Sequence, residues 1–522
     1  MKRYSKLIPQ GTRDLLFEEC DDRRNVESIL SALFKEYNYR KVMTPTVEFF
    51  DVFSENDLGI EAEEMYKLSD SLGRTTVLRL VATRLSKEDF PVKLYYNQNV
   101  YVRNKSLAGR ADETEQSGIE FIGDGSIDAD IEVISMAYEA LKRNNVASFK
   151  LELCHAGFFK SILNKMDITA TQKAEGKNYA ALGDMLAKFP DSKEADVIKK
   201  LPRLFGDVSV INEAKKLYND EKSNEALDYL RSVYEKLCDM GLGDNITIDL
   251  GLVNRSNYYT GVIFRGYAEG SGLTIVSGGR YDNLLGEFGL DAPAIGFGVN
   301  VNALCDVMRE EINVDRPIRI ALTKGRLEKS SISLFQKMGL DTTELQNKGR
   351  RLILPVGDFE AVLSKAPDVI TYVEHGVCDI GVVGKDTIVE HGNSFYEVID
   401  LNIGKCRFAL ACPKGTDFFS GYRRKVVASK YPKVAKAYFQ SKGMDVDIIK
   451  IEGSVELAPL LGLADGIVDI VETGSTLKEN GLEVVDTIMP ISARVIVNMA
   501  SMKLRKKEIE EFLNDLELAS KV

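Results

Sequence analysis

Apolar residues recur at helical spacing near the start of the chain. Val26, Ile29, Leu30, Leu33, Phe34 and Tyr37 predict a helix that buries one face. Strand-like runs follow, KLYYNQNVYV over 93–102 and GIEFIG over 118–123. From about 160 to 240 the pattern turns helical and rich in Lys and Glu, with EALDYLRSVYEKL as an amphipathic helix. Strands and glycine turns return over 245–300. This order predicts a mixed α+β domain carrying a helical insertion at about 160–243. EINVDRP (311–317) is a short polar link ending in proline. Beyond it the pattern becomes strand–turn–helix: IRIALTKG, then LEKSSISLFQKMGL, then the strands DIGVVG (379–384) and FALACP (408–413). That alternation predicts α/β structure with parallel strands. The expected domains are therefore 1–314 and 317–522.

Composition narrows the function classes. A chain of 522 residues with 44% hydrophobic content can bury several cores. The formal net charge of −11 argues against a nucleic-acid partner, because a bound phosphate backbone needs a basic face. LRKKEIEE, near residue 508, alternates in sign and reads as a solvated helix face. MKRYSKLIPQGTRDLL has no apolar signal core, and no run is long enough to span a bilayer, so a cytoplasmic protein is expected. The seven cysteines (20, 154, 238, 305, 378, 406, 412) form no CxxC pair, which suits reduced thiols. The three histidines (155, 375, 391) make no metal-ligand spacing, so any metal is expected to arrive with a substrate.

Chemistry concentrates after residue 317. In DIVETGSTLKENGL, Asp469 and Glu472 precede a small-residue turn, Thr473-Gly474-Ser475-Thr476, that opens a helical turn. Backbone N–H groups at such a turn can cradle a phosphate, and the two acids can accept hydrogen bonds from sugar hydroxyls. The same pattern also describes an ordinary capped helix start after a strand. TKGRL puts Lys324 and Arg326 in the turn between a strand and its helix, and NKGRRLILP puts Arg350 and Arg351 just before another strand. Basic residues there can hold a pyrophosphate, each charge-assisted hydrogen bond contributing about 1.5–3 kcal/mol, or can be solvated surface charge. YVEHGVCDIGVVGKD ends a strand at Gly384-Lys385-Asp386, where glycine lets a ligand approach the backbone. VASKYPKVAKAYF runs from a strand into a helix through Ser429-Lys430-Tyr431-Pro432, a further candidate anion site.

TKGRL, NKGRRLILP, YVEHGVCDIGVVGKD, VASKYP, DIVETGSTLKENGL and ISARVIVN, in this order, resemble ATP phosphoribosyltransferase, the first enzyme of histidine biosynthesis. The resemblance covers about 317–522 and is to the short form, which relies on a separate regulatory subunit. It implies two α/β lobes like a periplasmic binding protein, the second at about 406–488, with the active site in the cleft. It also implies attack of adenine N1 of ATP on C1 of phosphoribosyl pyrophosphate. Pyrophosphate leaves with Mg²⁺ that the substrate brings. By analogy Glu472, Thr473, Gly474, Ser475 and Thr476 hold the 5-phosphate, and Asp469 with Glu472 holds the ribose hydroxyls. Arg326, Arg350 and Arg351 neutralise pyrophosphate; Lys324, Gly384 and Asp386 contact ATP.

Residues 1 to about 310 resemble the catalytic domain of histidyl-tRNA synthetase, a class II α+β fold, through QGTRDLL, GRADETEQSGIEFIG, LVNRSNYYTG and SGGRYDNLLGEFG. The departures carry as much information. LRLV stands where the synthetase has LRPE, so a glutamate becomes Val81; three arginines become Val102, Asn254 and Ala303. Those arginines stabilise ATP phosphates, so aminoacylation is expected to be lost. Arg110, Gln116, Glu120, Tyr258 and Tyr259 are retained, as either fold supports or a candidate histidine effector site. This half thus resembles the regulatory subunit of short-form ATP phosphoribosyltransferase, here fused to the catalytic half. The resemblance implies histidine as effector and a homo-oligomer, either a tetramer or a dimer. A non-catalytic histidine or nucleotide sensor is the alternative class.

Overall fold

The computed structural model describes residues 8, 11–45, 73–85, 89–102, 111–165, 192–201, 204–252, 258–269, 271–309, 316–392, 395–421 and 423–521. The chain divides into two compact units, Met1–Val314 and Asp315–Val522. Residues 310–315, most of the expected link, lie outside the described residues.

In the first unit the strands are β1 (Arg40–Lys41), β2 (Val92–Tyr101), β3 (Glu113–Ile122), β4 (Phe149–His155), β5 (Phe205–Gly206), β6 (Ile246–Asp249), β7 (Val262–Ala268), β8 (Val276–Arg280) and β9 (Ala294–Asn300). They form one sheet in the order β1-β2-β3-β9-β8-β7-β4-β6-β5, antiparallel except at β1–β2 and β4–β6. The helices are α1 (Glu18–Glu36), α2 (Gly73–Arg84), α3 (Ile127–Arg143), α4 (Ala156–Leu163), α5 (Lys193–Lys200), α6 (Ser209–Leu217), α7 (Glu221–Asp239) and α8 (Val301–Arg309).

Strand alternation splits the sheet into two faces. Ile119, Phe121, Ile295, Phe297 and Val299 point into a large core that also takes Val26, Leu30, Leu33 and Phe34 of α1. There the Phe34 ring lies 5.6 Å from Tyr95 and 6.1 Å from Phe297. The alternate residues face a smaller core of Leu94, Tyr96, Ile122, Tyr259, Tyr281 and Val81. The segment between β4 and β6 is helical as patterned, but it also contributes β5, an edge strand on β6. Residues 166–191 of that segment lie outside the described residues. α7 buries Ala226, Leu227, Leu230, Val233 and Leu237 at three- and four-residue steps. Its Tyr229 hydroxyl donates to Asp130 of α3 at 2.6 Å.

The second unit holds two sheets. Its strands are β10 (Arg319–Thr323), β11 (Ile353–Val356), β12 (Phe359–Ser364), β13 (Ile380–Gly384), β14 (Tyr396–Asp400), β15 (Cys406–Pro413), β16 (Lys425–Ser429), β17 (Val446–Lys450), β18 (Gly466–Val471), β19 (Leu482–Ile491) and β20 (Ala493–Val497). Its helices are α9 (Arg326–Lys337), α10 (Thr343–Gln346), α11 (Ala366–Glu374), α12 (Lys385–His391), α13 (Pro432–Ser441), α14 (Leu457–Leu460), α15 (Ser475–Glu479), α16 (Met499–Leu504) and α17 (Lys506–Lys521). The sheet orders are β11-β12-β10-β13-β20-β14 and β17-β16-β18-β15-β19.

Both sheets are mixed, which corrects the expectation of parallel strands. Only β12–β10–β13 and β17–β16–β18 run parallel. The chain passes from the first sheet to the second between β14 and β15 and returns between β19 and β20, with Ser492 alone between the last pair. The strands at these crossings join their sheets antiparallel. Local sequence periodicity does not register such long-range returns. α17 closes the first lobe: Phe512 packs 6.0 Å from Phe335 of α9 and 5.0 Å from Phe359 of β12. Among the described residues no helix is long and apolar enough to cross a membrane.

Candidate active site

In open α/β sheets, ligands bind at the carboxyl ends of parallel strands. The candidate residues of the second unit gather at such ends. β10 and β13 are parallel neighbours, and Lys324 and Gly384 stand at their carboxyl ends. Lys324 N–H donates to the carbonyl of Ser364 at the end of β12, at 2.9 Å. β11 runs antiparallel to β12, so the Arg350-Arg351 turn that precedes it returns to the same edge.

The turn after β10 is shaped by Gly325, whose φ of +102° disfavours a side chain. Glu328, three residues on, accepts from Gly325 N–H at 3.2 Å and also pairs with Lys348. That ion pair draws the 347–351 turn to the first turn of α9, where Arg326 begins the helix. Arg351 pairs with Glu344 at 2.5 Å, whereas Arg350 is exposed and makes no hydrogen bond or ion pair among the described residues.

The second lobe supplies the other wall. Asp469 lies on β18, paired with Ala409 of β15. Burial pushes its carboxyl up to about 6; Ile470 N–H and Lys430 pull it down, while Glu456 and Asp386 push it up. Past β18 the chain turns through Gly474, at φ +77°, into α15. Thr473 and Ser475 hydroxyls meet at 3.0 Å, and both residues are exposed together with Glu472 and Thr476. First-turn N–H groups of a helix point outward along its axis. Arg326 of the first lobe reaches across to Glu472, with Nη1 at 3.0 and 2.7 Å from the two carboxylate oxygens.

Asp386 of α12 is half-buried and accepts from the Tyr431 hydroxyl of the opposite lobe at 3.2 Å. A side chain at Gly384 would sit 2.1 Å from Asp386 Oδ1, so glycine is what leaves that carboxylate room. The sequence marked Tyr431 only as part of the Ser429–Pro432 turn, because nothing local signals a partner 45 residues away. The Ser429–Pro432 turn is not an open anion site: the N–H groups of Lys433 and Val434 at the start of α13 are already taken by Glu390.

In the first unit Gln116, Glu120, Tyr258 and Tyr259 gather on or beside the smaller-core face of the sheet. Gln116 Oε1 accepts from the Tyr96 hydroxyl at 2.8 Å, and Glu120, fully buried, accepts from the Tyr281 hydroxyl. A side chain at Gly296 would sit 1.9 Å from Glu120 Oε2, and one at Gly298 would sit 2.9 Å from Gln116 Nε2. The glycines of β9 are thus the floor over which both side chains lie. The Tyr258 ring lies tilted at 4.4 Å from Tyr259 and edge-on at 5.9 Å from Tyr281. Tyr96 and Tyr281 were missed as contributors; the two-residue alternation of β2 places Tyr96 on this face beside Leu94. Val81 is buried in the same cluster, so an apolar contact replaces the glutamate expected there. Ala303 is buried in the larger core. Arg110 and Asn254 lie outside the described residues.

Two family models match the chain. Residues 11–304 match histidyl-tRNA synthetase and residues 365–518 match ATP phosphoribosyltransferase. An ATP phosphoribosyltransferase from Clostridium kluyveri is 60% identical over 206 residues, covering 39% of this chain and 94% of the relative. An ATP phosphoribosyltransferase regulatory subunit from Clostridium novyi is 42% identical over 334 residues, covering 60% of this chain and 79% of the relative. A crystal structure of an ATP phosphoribosyltransferase regulatory subunit/histidyl-tRNA synthetase from Bacillus halodurans superposes with a TM-score of 0.53 at 26% identity, covering 70% of this chain and 94% of that one. The chain therefore belongs to the ATP phosphoribosyltransferase family, with a histidyl-tRNA synthetase-like regulatory half and a catalytic half on one polypeptide.

Proposed function

We infer that this chain catalyses the first step of histidine biosynthesis, joining ATP and phosphoribosyl pyrophosphate to give phosphoribosyl-ATP and pyrophosphate. The observation that carries the reading is the placement of Lys324, Arg326, Gly384 and Asp386 of one lobe opposite Asp469 and Glu472 of the other, at strand ends that suit ligand binding. The two chain crossings between the sheets support a hinged cleft like that of a periplasmic binding protein.

Adenine N1 has a free lone pair at neutral pH, so the attack on C1 needs no strong base. Positioning and stabilisation of the leaving pyrophosphate dominate the barrier. In this reading the Glu472–Thr476 turn takes the 5-phosphate, and Asp469 and Glu472 accept from the ribose hydroxyls. Arg326, Arg350 and Arg351 meet the pyrophosphate with the Mg²⁺ that the substrate carries. Lys324, Gly384 and Asp386 face ATP. In this reading ribose hydroxyls and pyrophosphate compete with the exposed Arg326–Glu472 pair for these two side chains, so substrate binding loosens it.

The first unit is the regulator, with histidine as effector. Gln116, Glu120, Tyr258 and Tyr259, joined by Tyr96 and Tyr281, offer an aromatic-walled patch with an acceptor carboxylate, chemistry that suits an imidazole and an ammonium group. Arg110 belongs to the same reading. A homotetramer or dimer located in the cytoplasm completes it. Mass spectrometry of a mixture of the protein, ATP, phosphoribosyl pyrophosphate and Mg²⁺ tests the activity. A product of ATP plus one phosphoribosyl group, matched by equimolar pyrophosphate, is expected; histidine binding without any product would leave the sensor reading instead.

A further inference from the structure

The first turn of α13 is capped by a residue from the other lobe. Glu390, on α12, is 6% exposed. Its Oε2 accepts from the backbone N–H of Lys433 at 3.1 Å and of Val434 at 3.4 Å. In return, Lys433 Nζ donates to the Glu390 carbonyl oxygen at 2.7 Å. Pro432, which opens α13, has no N–H to cap, so Glu390 meets the first two donors the helix offers. Val389 beside it packs into the core of the second lobe.

Glu390 and Asp386 are four residues apart, on one face of α12. The same helix face therefore holds α13 and the residue before it at two points: Glu390 at the helix start and Asp386 at the Tyr431 hydroxyl. The Arg326–Glu472 pair is exposed, whereas the Glu390 cap is buried. An exposed ion pair is weak and exchangeable; a buried carboxylate on two N–H groups is not.

We propose that Glu390 is a positioning residue for phosphoribosyl transfer. By capping α13 from the opposite lobe it makes the α12–α13 contact a fixed pivot. The pivot holds Asp386 and Tyr431 in register while the Arg326–Glu472 contact opens and closes. The proposal rests on the phosphoribosyl-transfer reading above.

The experiment compares kcat, KM for both substrates and Tm of the full chain and its variants. Glu390→Asp keeps the charge but withdraws it from the cap; Glu390→Gln keeps an oxygen at the cap without the charge, and neutral oxygens cap helices well. With both variants folded at the assay temperature, kcat falls at least tenfold for Asp and stays within threefold for Gln. Combining Glu390→Asp with Tyr431→Phe gives a loss smaller than the product of the single losses, because both disturb one register. Wild-type kcat and KM in folded Glu390→Asp, or losses that multiply, would overturn the proposal. If Glu390→Asp does not fold, Glu390→Ala, which removes the cap outright, carries the test with Tyr431→Phe, and multiplying losses there overturn the proposal equally. An inactive wild type measured in parallel would instead sink the phosphoribosyl-transfer reading.

Discussion

Arg326 and Glu472, 146 residues apart, hold each other across the catalytic unit, one guanidinium nitrogen at 3.0 and 2.7 Å from the two carboxylate oxygens. Both side chains are more than half exposed, at 61% and 54%, so the pair contributes little to folding, roughly 0–1 kcal/mol. Arg326→Ala is accordingly expected to leave Tm within a degree or two of wild type. Turnover should fall about 10²–10³-fold if the guanidinium stabilises departing pyrophosphate as an oxyanion donor does. Thermal melting and steady-state kinetics on one preparation check both halves; a large Tm loss with normal turnover would make the pair structural.

The two arginines before β11 are expected to differ. Arg350 has no partner among the described residues and is available to a ligand, whereas Arg351 is engaged by Glu344 at 2.5 Å. Arg350→Ala should raise the barrier by about 3–4 kcal/mol if it meets the pyrophosphate. Turnover within threefold of wild type would remove Arg350 from the site.

Asp469 sets a pH dependence. Burial, with Glu456 and Asp386 nearby, raises its carboxyl from 3.8 to about 6 in the folded chain. The folded state then binds the proton more tightly than the unfolded one. This group's contribution to stability therefore falls as pH rises from about 4 to 6 and levels off above, by up to about 3 kcal/mol. Asp469→Asn is expected to raise Tm at pH 7.5 but not at pH 4. If the ionised carboxylate holds ribose hydroxyls, kcat/KM for phosphoribosyl pyrophosphate falls below pH 6 in the wild type, and that acid limb vanishes in the Asn variant. A Tm gain of the same size at both pH values would remove the shift.

The regulatory half carries a buried pair of a different kind. Arg280, which precedes Tyr281, places Nε and Nη2 at 2.8 and 2.5 Å from Asp130, whose side chain is fully buried and also takes the Tyr229 hydroxyl. Asp130→Ala removes the fully buried one of the two carboxylates on Arg280, leaving it Asp282 at 3.1 Å and backbone carbonyls, and should cost up to about 3–5 kcal/mol. Denaturant unfolding of the full chain measures it; a loss under 1 kcal/mol would mean that water or another group compensates.

The sequence made the loops legible and the partnerships illegible. The Asp469–Thr476 run can be read as a strand, a turn and a helix start because Gly474 and its hydroxyl neighbours are local signals, as is Gly325 ahead of Arg326. Arg326 meeting Glu472, Tyr431 meeting Asp386 and Glu390 capping α13 are tertiary events with no periodic trace. The mixed sheets escaped for the same reason: β20 returns to β13 from more than a hundred residues downstream. In the first unit Gln116 and Glu120 were readable as a pair two strand steps apart on one face. Tyr96 comes from β2 and Tyr281 from the residue just past β8, and only the fold places them there.

The most direct test of the account is the initial rate of phosphoribosyl-ATP formation by the intact chain, with saturating ATP, phosphoribosyl pyrophosphate and Mg²⁺, measured with and without histidine. The account predicts steady turnover that histidine lowers, with the inhibition weakened in Gln116→Ala. No product under any condition would contradict the catalytic claim, and turnover unaffected by histidine would contradict the assignment of the first unit as its sensor.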